Sequence, residues 1–382
     1  MKTAYINEVA SFLPNAPVSN NEMESILGFV GGKPSRSRNI VLRNNGIKTR
    51  YYAIDRETGK YTHNNRQLTA EAVRVLVKAA GIEMSDIEYL CCGTSSPDQI
   101  KPGHGHMVHG ELGGQPCEVM SAAGVCTSGM TSMKYASMAI ISGLAQKAIS
   151  TGSEFFSSFM RGSNFEPEIQ SRIQSLESNP ILAFEKDFLR WMLSDGAGAV
   201  LITPEPNKDK LSLRIDWIDF LSYAGELPVC MYTGGIKGED GYFQGWREAS
   251  NQHEIVQKSY FAVKQDTRIL DESIVEVSVR ALISMATKRD LKPEDVSWFL
   301  PHYSSEYFRM KFHDRLESAG FKIPIDRWFT NLTSVGNTGA ASIYLMMDEL
   351  VRSGKLKKGD TLLGFIPESG RFCICYILLT VV

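Results

Sequence analysis

In the stretch AAGVCTSGM, residues 122–130, a cysteine stands between the strand-like CEVMS and the helix-like TSMKYASMAIISGL. Cys126 therefore opens a helix. Unpaired N–H groups at a helix start favour an anion, so the thiol pKa is expected to fall there, and the same groups can hold the oxyanion formed when a thioester is attacked. An inert, buried thiol is the other reading of an isolated cysteine, and it is the one given to the remaining six, including Cys91-Cys92 in a strand. Two further residues bear on the choice: His302 ends the strand WFLPH, and Asn337 lies in the turn SVGNTGAAS. A Cys with a His and an Asn can form a thioester and then polarise a second carbonyl, because two neutral N–H donors on one oxygen stabilise a developing enolate. Taken singly, His302 reads as a core imidazole and Asn337 as a turn residue.

What must bring them together is an internal repeat. DIEYLCCGTSSPD, from Asp86, matches DVSWFLPHYSSEY, from Asp295, at an offset of 209 residues (295 − 86) that sets His302 opposite Gly93. About thirty residues further on, CEVMSAAGVCTSGMTSMKYASMAIISG matches RWFTNLTSVGNTGAASIYLMMDELVRSG, so the cysteine and asparagine turns correspond. A third strand follows in each half, KAISTGSEF and DTLLGFIPESGRF. Strands alternating with helices imply an α/β fold. A near-constant offset implies two similar halves about a pseudo-twofold axis, with equivalent strand-to-helix turns converging near it. The boundary is set at 1–205 for the half carrying Cys126 and 206–382 for the half carrying His302 and Asn337, with an insertion at 161–193 whose spaced apolar residues suggest helices. The insertion caps a site, meets a partner chain or is a plain surface excursion. The glycines of SDGAGAVLI lack the spacing of a dinucleotide loop.

The composition is globular: 382 residues, 43% hydrophobic and 22% charged, with a net charge of −2 that gives no general attraction to nucleic acid or anionic lipid. The most apolar tail, CICYILLTVV, is too short to span a bilayer and reads as a buried strand. The start of the chain, MKTAYINEVASFLPN, lacks a signal-peptide pattern, and seven cysteines without paired spacing fit free thiols in a reducing cytoplasm. His104, His106 and His109 crowd KPGHGHMVHG, but glycine interruption and the lack of a carboxylate motif argue against a metal, so no metal is expected. That loop is expected to line a tunnel or a subunit contact.

With these residues in view, the chain resembles a β-ketoacyl-acyl-carrier-protein synthase of type III, in the thiolase superfamily. NNGIKTRYYA resembles that family's early TGI-R segment, SAAGVCTSGM its nucleophile motif, and TGSE and SDGAGAVLI its next two blocks. PHYSS resembles the PHQAN histidine motif and VGNTGAAS the GNTSAAS asparagine motif. The match spans essentially the whole chain in order. It implies a duplicated, layered αβαβα thiolase fold, a homodimer paired through the first half's sheet, Cys126 as the acyl-accepting nucleophile, and His302 and Asn337 as the pair that activates a second thioester. The substrates implied are thioesters of acyl-carrier-protein phosphopantetheine or coenzyme A, with no other cofactor.

The departures carry information too. The family's terminal GGGFTWG loop is here PESGRFCIC, which leaves an oxyanion N–H to be supplied around Ser369 and Gly370. Chain-starting members stack coenzyme A on an early tryptophan, and this chain has none before Trp191. Glu154 ends the strand that matches the altered loop. A malonyl donor needs no base, whereas a donor that keeps its carbons does, so Glu154 is a candidate base or a structural carboxylate. Together these features resemble the ketosynthase/cyclases of dialkylresorcinol and bacterial stilbene pathways, which join a β-ketoacyl unit to an α,β-unsaturated acyl unit and close a cyclohexanedione ring. A decarboxylating, malonyl-dependent synthase and an acyltransferase to oxygen or nitrogen are the alternatives. Two basic groups are candidates for docking an acidic carrier protein: Arg36, Arg38, Arg43, Lys48 and Arg50, and the favoured Arg309, Lys311 and Arg315 after His302.

Overall fold

The strand-then-helix rhythm of the sequence becomes a nine-stranded sheet in the computed structural model, which describes residues 3–35, 37–165, 188–238 and 240–382. The strands are β1 Tyr5–Phe12, β2 Tyr89–Thr94, β3 Glu118–Ala123, β4 Ala148–Glu154, β5 Gly196–Thr203, β6 Leu213–Ser222, β7 Trp298–Pro301, β8 Thr361–Glu368 and β9 Cys373–Val381. Their order is β7-β8-β9-β6-β1-β5-β4-β2-β3. β3, β2 and β4 are parallel, β5 runs antiparallel to β4, and β1 runs antiparallel to β5. From the other end, β7 and β8 are parallel, and β9 and β6 follow antiparallel. Trp328, bridged in parallel to Phe299 of β7, stands where β3 stands in the first half. The halves meet where β1 and β6 share only two residue pairs, Tyr5 with Arg214 and Ile6 with Leu213.

The helices used below are α1 Arg38–Asn45, α2 Asn65–Ala80, α3 His104–Leu112, α4 Ser128–Ser142, α5 Thr267–Arg289, α6 Tyr307–Ser318 and α7 Ser342–Arg352. One core packs α2 and α3 on the first half's sheet, through Leu68, Val73, Leu76 and Val108 against Leu90, Ile149 and Ala199. A second places α4 and α7 between the two halves' strands, with Met133, Ile140, Ile343 and Met347 among Val200, Ile215, Leu362 and Ile377. The third packs α5 and α6 on the second half's outer face, through Ile274, Leu282, Phe308 and Phe312 against Leu363, Phe365 and Tyr376. Five layers result, the αβαβα arrangement the sequence implied.

Local chemistry fixes the ends of these elements. Asn64 caps α2 by accepting from the Gln67 N–H while the Gln67 side chain accepts from the Asn64 N–H, and Gly81 ends the helix in a left-handed conformation. The middle layer is close because its contact points are glycines. A Cβ on Gly152 would lie 2.2 Å from the Ala340 carbonyl oxygen, and one on Gly198 would lie 2.2 Å from Tyr344 Cβ. That is the use of the glycines in TGSE and SDGAGAVLI. The segment read as a histidine loop is instead helical, as α3; its glycines let it lie on β3, where a Cβ on Gly105 would meet the Met120 carbonyl oxygen at 2.9 Å.

Candidate active site

Three turns meet at one pocket, bordered by Cys126, His302 and Asn337 together. Cys126 lies in the turn between β3 and α4. Ser128 ties that turn to the Val125 carbonyl through both its N–H and its hydroxyl, at 3.0 and 2.8 Å. The thiol is partly exposed toward the cavity. Contrary to the expectation from the helix start, its pKa is pushed up, first by burial and then by the carboxylates of Glu368 and Glu154. The Cys126 N–H favours the thiolate, but desolvation outweighs it.

His302 continues β7 by donating its N–H to the Phe365 carbonyl at 2.7 Å. Burial lowers its imidazole pKa to about 4, so the ring is neutral at pH 7 and carries one N–H and one bare nitrogen. Its repeat partner, Gly93, has no room for any side chain, since a Cβ there would lie 2.2 Å from the Ser128 carbonyl oxygen. The pseudo-symmetry therefore yields one histidine, not two.

Asn337 follows a short helical turn, Leu332–Val335, and Gly336 at φ +78°. Its backbone is held on both sides, N–H to the Met192 carbonyl and carbonyl from the Ser194 N–H, each at 2.9 Å. Its side-chain Oδ1 accepts from the Gly339 N–H at 2.9 Å. With the oxygen committed, the Nδ2 donor is the end left for a ligand.

Glu154 lies beside this cavity rather than on its wall. It is fully buried and accepts four hydrogen bonds: from the Ser95 N–H and hydroxyl at 3.2 and 2.8 Å, the Ser96 hydroxyl at 2.6 Å and the Ala340 N–H at 3.1 Å. Burial raises its pKa to about 7 against the pull of those donors. The Gly339 backbone lies against it, where a Cβ would fall 2.9 Å from Oε1. Ser369 does border the cavity. Gly370 instead packs under Val125, where a Cβ would lie 2.8 Å from Val125 Cγ2, and its carbonyl accepts from the Cys230 N–H at 2.9 Å.

The second half of the chain matches the sequence model of the 3-oxoacyl-[acyl-carrier-protein] synthase III C-terminal region over residues 286–366. A β-ketoacyl-[acyl-carrier-protein] synthase III of Rhizorhabdus wittichii is 26% identical over 364 residues, covering 95% of this chain and 94% of the relative. Over nearly its whole length the chain is thus similar to synthase III enzymes, with the family model itself confined to the second half. The fold is that of a tetronic acid condensing enzyme, AbyA1, at TM-score 0.77, 16% identity and 99% coverage of both chains. It is equally that of the 3-oxoacyl-[acyl-carrier-protein] synthase III of Aquifex aeolicus, at TM-score 0.70, 20% identity and 99% coverage of both.

The remaining candidates fall out differently. In α6, Arg309 pairs with Glu306, Lys311 with Asp271 and Arg315 with Glu276, so the favoured docking group is largely neutralised by its own neighbours. Of the other group, Arg36 lies outside the described residues. Arg50 is buried on Asn20 and the Trp191 carbonyl, and Arg38 reaches Asn21 and the Asn20 carbonyl. Arg43 and Lys48 stay exposed, with no ion pair among the described residues. They flank the end of α1, which packs on the start of α6 through the Glu306 N–H to Asn45 carbonyl bond of 3.1 Å.

His104 is buried with Nε2 3.2 Å from Thr69 Oγ1 and 3.3 Å from Ser153 Oγ, while His109 Nε2 lies 3.2 Å from the Gln115 carbonyl. Among the described residues no three His, Cys, Asp or Glu side chains gather as a metal set, and α3 does not border the cavity. Of the insertion at 161–193, residues 166–187 lie outside the described residues, but Leu189, Met192 and Leu193 border the cavity.

Sequence reasoning missed Glu368 and Asp195. Asp195 is fully buried and accepts from the Ala53 N–H at 2.7 Å, the Ser157 N–H at 2.8 Å and the Ser157 hydroxyl at 2.5 Å, pinning two loops beside the site. The signal for Glu368 was in the repeat, because it ends β8 as Glu154 ends β4.

Proposed function

We infer that the protein forms a carbon–carbon bond between two acyl thioesters through an acyl group on Cys126. The observation that carries this reading is the gathering of Cys126, a neutral His302 and a pre-oriented Asn337 amide around one cavity. In the first step the Cys126 sulfur attacks the carbonyl of an acyl thioester; the carrier's thiolate leaves and takes up the proton the cysteine loses. In the second step the incoming thioester's carbonyl oxygen takes hydrogen bonds from His302 N–H and Asn337 Nδ2. The charge that develops on that oxygen as the Cα carbanion forms is thereby stabilised. The Cα proton of the β-ketoacyl donor, acidified by the carbonyls on both sides of it, passes to solvent; the carbanion attacks the acyl carbonyl on Cys126, and the expelled cysteine thiolate takes a proton back from solvent. A backbone N–H around Ser369 and Gly370, the latter packed against Val125, is proposed to meet the acyl oxygen.

The proposed donor is a β-ketoacyl unit that keeps all its carbons, joined to an α,β-unsaturated acyl unit that closes a cyclohexanedione. The altered PESGRF loop and the absence of an early tryptophan support this over a malonyl-dependent chain starter. Apolar walls from Leu189, Leu270, Ile274, Phe308 and Phe312 suit an alkyl chain. The thioester is proposed to arrive on an acidic acyl carrier protein, read by Arg43 and Lys48 rather than by the paired cations of α6. A homodimer is proposed through the free edge of β3 and the neighbouring exposed Tyr135, Met138, Ile141 and Leu144. Seven cysteines with no paired spacing fit a reducing, cytoplasmic setting. Among the described residues no helix is long and apolar enough to cross a membrane.

The test is incubation with a β-ketoacyl carrier and an unsaturated acyl thioester, without malonyl, with products read by mass spectrometry. A ring-closed product retaining every donor carbon supports the reading. Product only with malonyl, and with carbon dioxide released, returns the protein to chain-starting chemistry. Product from Cys126→Ala would overturn the acyl-cysteine scheme.

A further inference from the structure

Glu154 and Glu368 end the repeat-related strands β4 and β8, at an offset of 214 residues (368 − 154). Each reaches into the other half. Glu154, from the first half, holds the Ala340 N–H beside the Asn337 turn. Glu368, from the second, accepts from the Val125 N–H at 3.2 Å and from the Thr127 hydroxyl, the residues on either side of Cys126. Both bonds fall on Oε2, and Oε1 has no hydrogen bond among the described residues. A Cβ on Gly370 would lie 3.3 Å from Oε1 and one on Gly124 would lie 3.7 Å from Oε2, so glycines on both sides leave space for the carboxylate.

We propose that Glu368 is a positioning residue of the active site, a carboxylate that clamps the nucleophile turn from across the pseudo-twofold axis and lays a negative charge beside the Cys126 thiol. The clamp keeps the turn fixed as sulfur gains and loses an acyl group. The charge holds the thiol in its neutral form in the empty site, which matches the upward push on Cys126 from this carboxylate. The other groups facing the turn are Glu154 from β4, His302 across the cavity and Cys373 of β9, which pairs with Glu368 in the sheet ladder. Arg371, in the β8–β9 turn, is exposed. His302 is neutral over the relevant range, and among the described residues Glu368 makes no ion pair.

The experiment is the rate of Cys126 alkylation by iodoacetamide between about pH 7 and 10, followed by peptide mass spectrometry. Glu368→Gln keeps an acceptor for Val125 and Thr127 but removes the charge. Its rate profile is expected to move toward lower pH by about a unit, which at fixed pH speeds alkylation about threefold once the weaker nucleophilicity of a lower-pKa thiolate is counted. Thr127→Val keeps the charge and loosens the clamp. Its profile is expected to stay in place while acylation of Cys126 by hexanoyl-N-acetylcysteamine, read by intact mass, slows. Superimposed profiles for the wild type and Glu368→Gln overturn the proposal, as does an equal shift in both variants. Should Glu368→Gln not fold, Glu368→Asp, with the charge kept and a shorter arm, must slow acylation without moving the profile; unchanged acylation overturns the clamp. The alkylation readout does not depend on Cys126 being the acyl carrier, whereas a wild type that alkylates but never acylates would sink the proposed function alone.

Discussion

Replacing Glu154 by glutamine tests whether the first carboxylate supports the site or reacts in it. Its carboxyl is shifted from 4.5 to about 7 in the folded protein. A folded state that holds a proton more tightly than the unfolded chain loses stability as pH rises from the unfolded pKa through the folded one. The ionisation penalty is about 1 kcal/mol at pH 5, about 3 kcal/mol at pH 7, and nearly constant above that. Glutamine mimics the protonated acid, with an oxygen for the Ala340 and Ser95 N–H groups and an NH₂ for the two serine oxygens, and it does not titrate. Urea unfolding followed by tryptophan fluorescence is therefore expected to show Glu154→Gln gaining about 2 kcal/mol over the wild type between pH 5 and 7, and no more at pH 8. Asp195 and His302 titrate in both proteins and cancel. A pH-independent difference would refute the buried, titrating carboxylate. Turnover adds a second reading: a positioning role leaves it within about tenfold, whereas a general base would cost 10²-fold or more.

Asn337→Ala removes one of the two proposed donors to the enolate oxygen; condensation is expected to fall about 10²- to 10³-fold, while single-turnover acylation of Cys126 by an acyl thioester survives. Gly198→Ala puts a Cβ 2.2 Å from Tyr344 Cβ. It is expected to cost about 3 kcal/mol or more in urea unfolding, or to prevent folding. Reversing Arg43 and Lys48 to glutamate is expected to lower kcat/KM about tenfold for a carrier-bound substrate and to leave an N-acetylcysteamine thioester unaffected, with a smaller effect from Lys311→Glu, whose partner is Asp271.

The repeat made most of the architecture legible. Matched strands and turns told which residues stand at equivalent corners, and the sheet returns that equivalence strand for strand, with β3 reduced to a single bridge at Trp328 in the second half. Cys126, His302 and Asn337 were readable because each occupies a corner that the topology turns toward the axis. The basic groups were not, since charge count says nothing of pairing: Lys311 and Arg315 lie four residues apart on α6, facing acidic residues of α5 that are about forty positions away in sequence. The glycine-rich histidine segment misled for a related reason. Its glycines lower helix propensity locally, but contact with β3 rewards a helix that can approach without side chains.

The direction of the Cys126 shift shows where sequence reasoning on electrostatics stops. A helix start stabilises an anion by about 0.3 to 1 kcal/mol at an exposed site, whereas burial alone can move a pKa by several units. Position on a helix is visible in a sequence; burial and the approach of Glu368 from 242 residues away (368 − 126) are not. The thiol is consequently neutral in the empty site, facing a neutral imidazole and two strand-end carboxylates. In such a site sulfur becomes nucleophilic when a thioester carbonyl is present to receive the charge, because the oxyanion then moves away from the carboxylates toward backbone N–H groups. An unloaded thiol held in that state is expected to resist oxidation and stray alkylation, so slow alkylation of the free protein by iodoacetamide and fast acylation by a thioester are the two expected outcomes of one arrangement.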